Sequence, residues 1–210
     1  MMPTSLAAAV LTLSVILTAP IRGASAQGRP ATAVFAGGCF WGIEGVFEHV
    51  KGVVSATAGY AGGSVAAPSY EQVSSGATGH AESVRVIYDP SQVTYDQLLD
   101  VFFSVAHDPT QRNRQGPDVG TQYRSIVFYG DSTQRRLAQA HIADLASRKV
   151  YPAPVVTEIV PLDSFYTAEA YHQHYMARHP HALYILYNDA PKLKSLEREF
   201  PSLYREPPKE

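Results

Sequence analysis

"TAVFAGGCFWGIEGVFEHV", residues 32 to 50, changes its hydrophobic period half-way along, and that change sets the first unit of the fold. Thr32 to Ala36 is a short apolar run that reads as a buried strand, and Gly37-Gly38 end it. Beyond the glycines, Ile43, Val46, Phe47 and Val50 recur at i, i+3, i+4 and i+7, the apolar stripe of one amphipathic helix. Cys39, the single cysteine of the chain, therefore stands at a strand-to-helix turn.

The same reading extends outward. VVSATAG (53 to 59) is a second strand, and ESVRVIYD (82 to 89) alternates, with Ser83, Arg85 and Ile87 opposite Glu82, Val84, Val86 and Tyr88. A helix follows Thr94, its apolar face formed by Tyr95, Leu98, Leu99, Phe102 and Phe103. RSIVFYG (124 to 130) is another strand, Ser132 to Lys149 another helix, and VVTEIV (155 to 160) a final strand. Strand, helix, strand, strand, helix, strand is the order of an α+β fold, a ferredoxin-like two-layer α/β sandwich. Additional C-terminal helices are expected over Ala168 to Ala177 and Pro191 to Phe200.

A chain of 210 residues suits one domain with a sizeable core. The first residues carry no charged side chain through Pro20, and an apolar run from Leu6 to Ala19 leads to Ala24-Ser25-Ala26. This reads as a signal peptide over residues 1–26, cleaved after Ala26, with a single catalytic domain over 27–210 and export to the periplasm or the extracellular space. The run is short for a membrane helix, which needs about 20 residues. Losing Arg22 with the leader moves the formal charge from −2 to −3, so nothing invites nucleic acid. One unpaired cysteine closes no internal disulfide, and an odd thiol in an exported protein is a candidate reactive group.

A thiol attacks as thiolate, and the unpaired amides of a helix N-terminus favour that form. The turn at Gly38 places Cys39 at such an end. The plain alternative is a small buried hydrophobe, with Phe40 and Trp41 as core residues beside it. Residue types alone leave both open.

The longer motifs decide between them. GGCFWG (37 to 42), GYAGG (59 to 63), PSYEQVSSGATGHAESVRVIYDP (68 to 90), HDPTQRNRQGPDVGTQYRS (107 to 125) and AEAYHQHY (168 to 175) together resemble the A-type peptide methionine sulfoxide reductases, in that family's order. The resemblance implies that Cys39 is the nucleophile, that Glu82 is the proton donor, and that Tyr70 and Tyr123 give hydroxyls to the sulfoxide oxygen. It also implies that Phe40 and Trp41 hold the substrate methyl group, with Asp118 on the polar side of the pocket. The implied reaction is reduction of methionine (S)-sulfoxide, free or in damaged proteins, through a Cys39 sulfenic acid. Chemistry agrees: oxygen leaves sulfur poorly unless protonated, so a neutral acid is needed, and Glu82 beside apolar Trp41 is placed to stay protonated. The tyrosines donate without carrying charge.

Many members carry further cysteines that resolve the sulfenic acid, and this chain has none. No cofactor is expected to be bound; the reductant is expected to be an external thiol, a thioredoxin-like dithiol protein or a small thiol. Expected partners are oxidised proteins or peptides containing methionine sulfoxide and that reductant, with no stable membrane partner, and the chain is expected to be a monomer. His172, His174, His179 and His181 resemble a metal cluster, but on a helix His172 and His174 project in different directions, unlike the i, i+4 pair of a zinc helix. No metal site is expected, and His172 is expected near the active site. Two rivals remain: a cysteine hydrolase or acyltransferase with His80 or His107 as base, and a module that binds oxidised methionine without turnover.

Overall fold

The computed structural model describes residues 29–206. The leader expected over residues 1–26 lies outside them. Six strands form one sheet in the order β7-β6-β1-β3-β2-β8. They are β1 (Ala31–Ala36), β2 (Val53–Ala61), β3 (Ala81–Tyr88), β6 (Ile126–Tyr129), β7 (Glu158–Pro161) and β8 (Phe165–Thr167). All neighbours are antiparallel except β6 and β7. A two-stranded hairpin, β4 (Arg114–Gln115) with β5 (Asp118–Val119), stands apart.

The helices are α1 (Phe40–Glu48), α2 (Tyr70–Ser74), α3 (Tyr95–Val101), α4 (Ser132–Ser147), α5 (Tyr175–Arg178) and α6 (Ala190–Glu199). Alternation decides which side chains meet them. Ala33, Phe35, Ala58, Tyr60, Val84 and Val86 point from β1, β2 and β3 into the main core with Ile43, Val46 and Phe47 of α1 and Leu98 and Leu99 of α3. Phe35 lies between Phe47 at 5.2 Å and Phe102 at 4.8 Å, centroid to centroid. On the other face Val34, Ala36, Ala61, Ala81, Ile126 and Phe128 form a smaller cluster closed by Val160, Leu162 and Phe165. α3 starts on a capping box between Thr94 and Gln97 and runs on as a π turn through Ala106.

The α+β class holds. Two expectations from periodicity do not. VVTEIV is not the final strand, because β8 follows it in the chain and pairs to β2 at the opposite edge of the sheet. Ala168 to Ala177 is not one helix either. A 3-10 turn (Ala170–His172) gives way at Gln173, and His174 is left-handed at φ 55° before α5 begins. Gln173 explains the break: its amide accepts from Ala58 N at 3.0 Å and donates to Ala58 O and Ala168 O, so the side chain pairs with β2 as a strand would.

Candidate active site

The site is built at the turn where β1 ends. Gly38 has φ +105°, and a Cβ there would lie 2.6 Å from Gln115 Cγ, so both conformation and space require glycine. Cys39 follows as the N-cap of α1 and is partly exposed. The next amide, Phe40 N, would be an orphan donor of the first turn; it donates to Glu82 Oε2 at 3.1 Å. That bond brings a carboxyl from β3, only 2% exposed, to the start of the helix that carries the thiol.

Burial, with a smaller push from Asp118, raises Glu82 to about 8 against the pull of the Phe40 amide. The carboxyl is thus mostly neutral at neutral pH, as a proton donor to a departing oxygen requires. The thiol departs from expectation. Burial, then the charges of Glu82 and Asp189, hold Cys39 well above its ordinary value, and Asp118 adds to them. The Trp41 amide pulls the other way without a capping hydrogen bond of standard geometry to the sulfur. The helix end is present, but desolvation and the carboxyls outweigh its partial charge.

The remaining candidates converge on this turn. Tyr70 opens α2, its amide donating to Glu169 Oε1 at 2.9 Å, and its ring lies 4.5 Å from His172. Tyr123 closes a 3-10 turn (Thr121–Tyr123). Burial raises both phenols, and each also feels Glu82, Asp118 and Cys39, so both are neutral donors within electrostatic reach of the thiol. Asp118, on the β4–β5 hairpin, accepts a hydrogen bond from the Tyr184 hydroxyl. Phe40 is fully buried against Tyr60 and His172, whereas Trp41 is partly exposed. Trp41 stacks on Tyr175 at 3.7 Å and meets Tyr184 edge-on at 5.8 Å. Its indole Nε1 donates to His172 Nδ1 at 3.1 Å, which places the imidazole proton on Nε2.

The histidine run divides at the break in the chain between the 3-10 turn and α5. His172 faces Trp41, while His174 turns to Glu48 on α1 and its amide donates to Glu44 Oε2. Glu44, Glu48 and His174 gather potential metal-ligating atoms, but both Glu44 oxygens already accept backbone amides, from Ala58 and His174. His80 and His107 cannot serve as the base a hydrolase needs. His80 accepts from Gly63 N and bonds Val65 O, and His107 bridges Phe102 O and Ser125 Oγ, so all four ring nitrogens are engaged. His107 is also held down to about 4 by burial.

Tyr175, Tyr184, Asp189 and Glu169 were not singled out in the sequence. Tyr184 and Asp189 lie in ALYILYND, which has no motif and no charge pattern; only the return of the chain over α1 gives them a place.

The model of the family described as "Peptide methionine sulfoxide reductase" matches residues 31–203. The chain belongs to that family. A peptide methionine sulfoxide reductase MsrA 2 of Mesorhizobium japonicum is 57% identical over 177 residues, 84% of this chain and 91% of the relative. Among solved structures, methionine sulfoxide reductase A of Corynebacterium diphtheriae matches with TM-score 0.65 and 37% identity, covering 75% of this chain and 78% of that one. Reduced Mxr1 from Saccharomyces cerevisiae matches with TM-score 0.66 and 34% identity, covering 73% and 87%. The protein is a peptide-methionine sulfoxide reductase, an enzyme that reduces methionine sulfoxide and serves protein repair.

Proposed function

We propose that the enzyme acts on methionine (S)-sulfoxide, in proteins or free, by direct attack of Cys39 sulfur on the sulfoxide sulfur. Glu82 gives its proton to the sulfoxide oxygen, and Tyr70 and Tyr123 donate hydrogen bonds to the same oxygen. Trp41, backed by Phe40 and held by His172 and Tyr175, receives the methyl group, and Asp118 with Tyr184 lines the polar side. The balance is simple: the Cys39 thiol and the sulfoxide become the Cys39 sulfenic acid and the methionine thioether, with oxygen passing between the two sulfurs. The observation that carries this reading is Glu82, a buried carboxyl raised to about 8 and bonded to the helix turn that presents the only cysteine.

With one cysteine, the sulfenic acid needs a thiol from outside, and a dithiol protein of the thioredoxin type is the better reductant because its second sulfur resolves the mixed disulfide. The strand order β6-β1-β3-β2, with α1 and α3 as crossovers, supports the ferredoxin-like description of the core. The leader reading carries the proposal of an exported protein beginning near Gln27. Intact mass of protein from its native compartment tests this; a retained Met1 or Met2 on cytoplasmic protein argues against it.

Prereduced enzyme given excess S-sulfoxide and no reductant should release one methionine per chain and then trap a sulfenic-acid probe on Cys39. A dithiol protein or glutathione should restart turnover, and the R epimer should give no burst. A burst of two per chain, or a burst surviving in Cys39→Ser, would refute the mechanism.

A further inference from the structure

Tyr70 stands on α2, a helix of five residues of which only Val73 is buried, so its place depends on what holds that short element. The capping box is internal to α2: Ser69 N donates to Gln72 Oε1 at 2.9 Å, and Gln72 N donates to Ser69 Oγ. It shapes the first turn without attaching it to the rest of the molecule. At the far end Gln122, the neighbour of Tyr123, donates from Nε2 to Ser74 O at 3.1 Å. At the near end the attachment is Glu169.

Glu169 Oε1 accepts the Tyr70 amide at 2.9 Å, and Oε2 accepts the Tyr60 hydroxyl at 2.8 Å. The Tyr70 amide is an orphan donor of a helix start, so Glu169 supplies from 99 positions away the acceptor that α2 lacks. Tyr60 is fully buried on β2, its ring 5.9 Å from Phe40. The Glu169 carbonyl opens the 3-10 turn by accepting from His172 N at 2.9 Å, and the His172 ring lies 4.5 Å from Tyr70 and 4.9 Å from Phe40. One residue therefore joins β2, the start of α2 and the turn whose histidine holds Trp41. Burial pushes its carboxyl up, but the hydrogen bonds from its own amide, from Tyr70 and from Tyr60 outweigh that and hold it below the ordinary value. It is ionised at neutral pH, when both oxygens act only as acceptors.

We propose that Glu169 is a positioning residue of the oxygen-transfer step: by fixing the Tyr70 amide against Tyr60 and the His172 turn, it aims the Tyr70 hydroxyl at the sulfoxide oxygen. This deepens, and rests on, the reading of Tyr70 as a donor to that oxygen. Glu169 acts through the main chain of Tyr70, whereas the substrate meets its hydroxyl, so the two contributions are separable by substitution.

The test is a double-mutant cycle on the full chain, prereduced and given saturating S-sulfoxide without reductant, reading the rate of methionine release in the first turnover. Tyr70→Phe removes the hydroxyl and keeps the amide that Glu169 holds; it should slow release by roughly tenfold or more. Glu169→Ala frees the amide and should slow release by about the same factor. In the double variant the second loss should vanish, leaving a rate within about twofold of Tyr70→Phe, because a misplaced ring without its hydroxyl has nothing further to lose. General loosening of the fold would instead multiply the two losses. Glu169→Asp keeps the charge but sets it back by one methylene; it should slow release several-fold and again be silent beside Tyr70→Phe, and it is read in place of Glu169→Ala should that variant not fold. Multiplied losses, or a parental rate in the Glu169 variants, overturn Glu169 as positioning residue and leave Tyr70 as donor intact. A parental rate in Tyr70→Phe overturns the donor reading itself, and this proposal with it.

Discussion

Replacing Glu82 by glutamine tests the division of labour at the site. The carboxyl is raised to about 8 and the thiol stands well above its ordinary value, so the acid loses its proton first. The reactive form, thiolate with neutral carboxyl, is then a minority at every pH, shrinking tenfold for roughly each unit separating the two groups. Its fraction rises up to about pH 8, stays level, and falls once the thiol titrates as well. kcat/KM, which reports the free enzyme, should follow this bell. Glu82→Gln removes the acid and one of the charges that hold the thiol up. The descending limb should vanish, the single remaining limb should rise to a plateau with an apparent pKa below that of the parental descending limb, and the plateau should fall by roughly 10²-fold or more. The assay is methionine released from S-sulfoxide with dithiothreitol across neutral and alkaline pH. A variant that keeps the parental rate, or keeps the descending limb unshifted, refutes Glu82 as proton donor.

Trp41→Ala removes the partly exposed wall that stacks on Tyr175, so KM should rise by about tenfold with a smaller change in kcat; unchanged KM would count against the aromatic pocket. Gly42→Ala drives a methyl into Asp189, 2.1 Å from Oδ1, and should cost about 1–3 kcal/mol in urea unfolding; an unaltered midpoint would show that the ion pair of Asp189 with Lys192 yields easily. Glu44 is raised from 4.5 to about 7 by burial, then by Glu48, so the folded state binds more protons than the unfolded. Its contribution is therefore fully present below pH 4.5 and lost as pH rises through about 7. Unfolding free energies measured over that window should decline with a shallower slope in Glu44→Gln than in the parent; equal slopes would exclude Glu44 as the source.

Local chemistry was legible where one segment settles it by itself. The change of period across Gly37-Gly38 placed Cys39 at a helix start, and the alternation of β3 put Glu82 on one face with Val84 and Val86, the face that the structure turns toward the helices. The 168–177 segment was misread because its spacing is compatible with a helix, and only the amide of Gln173 meeting Ala58 shows that the segment follows β2 instead. The direction of the thiol shift was misread for the same kind of reason. A helix end is visible in sequence, whereas the carboxyls of Glu82, Asp118 and Asp189 arrive from segments 43, 79 and 150 positions away along the numbering.

The sequence by itself determined the α+β order of elements and the family resemblance, since these depend on periodicity and motif, and its count of one cysteine is what the proposal of an external reductant rests on. The tertiary structure alone decided which charges face the thiol, which histidine holds Trp41, and that Asp118 pairs with Tyr184. Electrostatic and hydrogen-bond partners are chosen by distance in space after the chain has packed, and spacing along the chain carries little of that information.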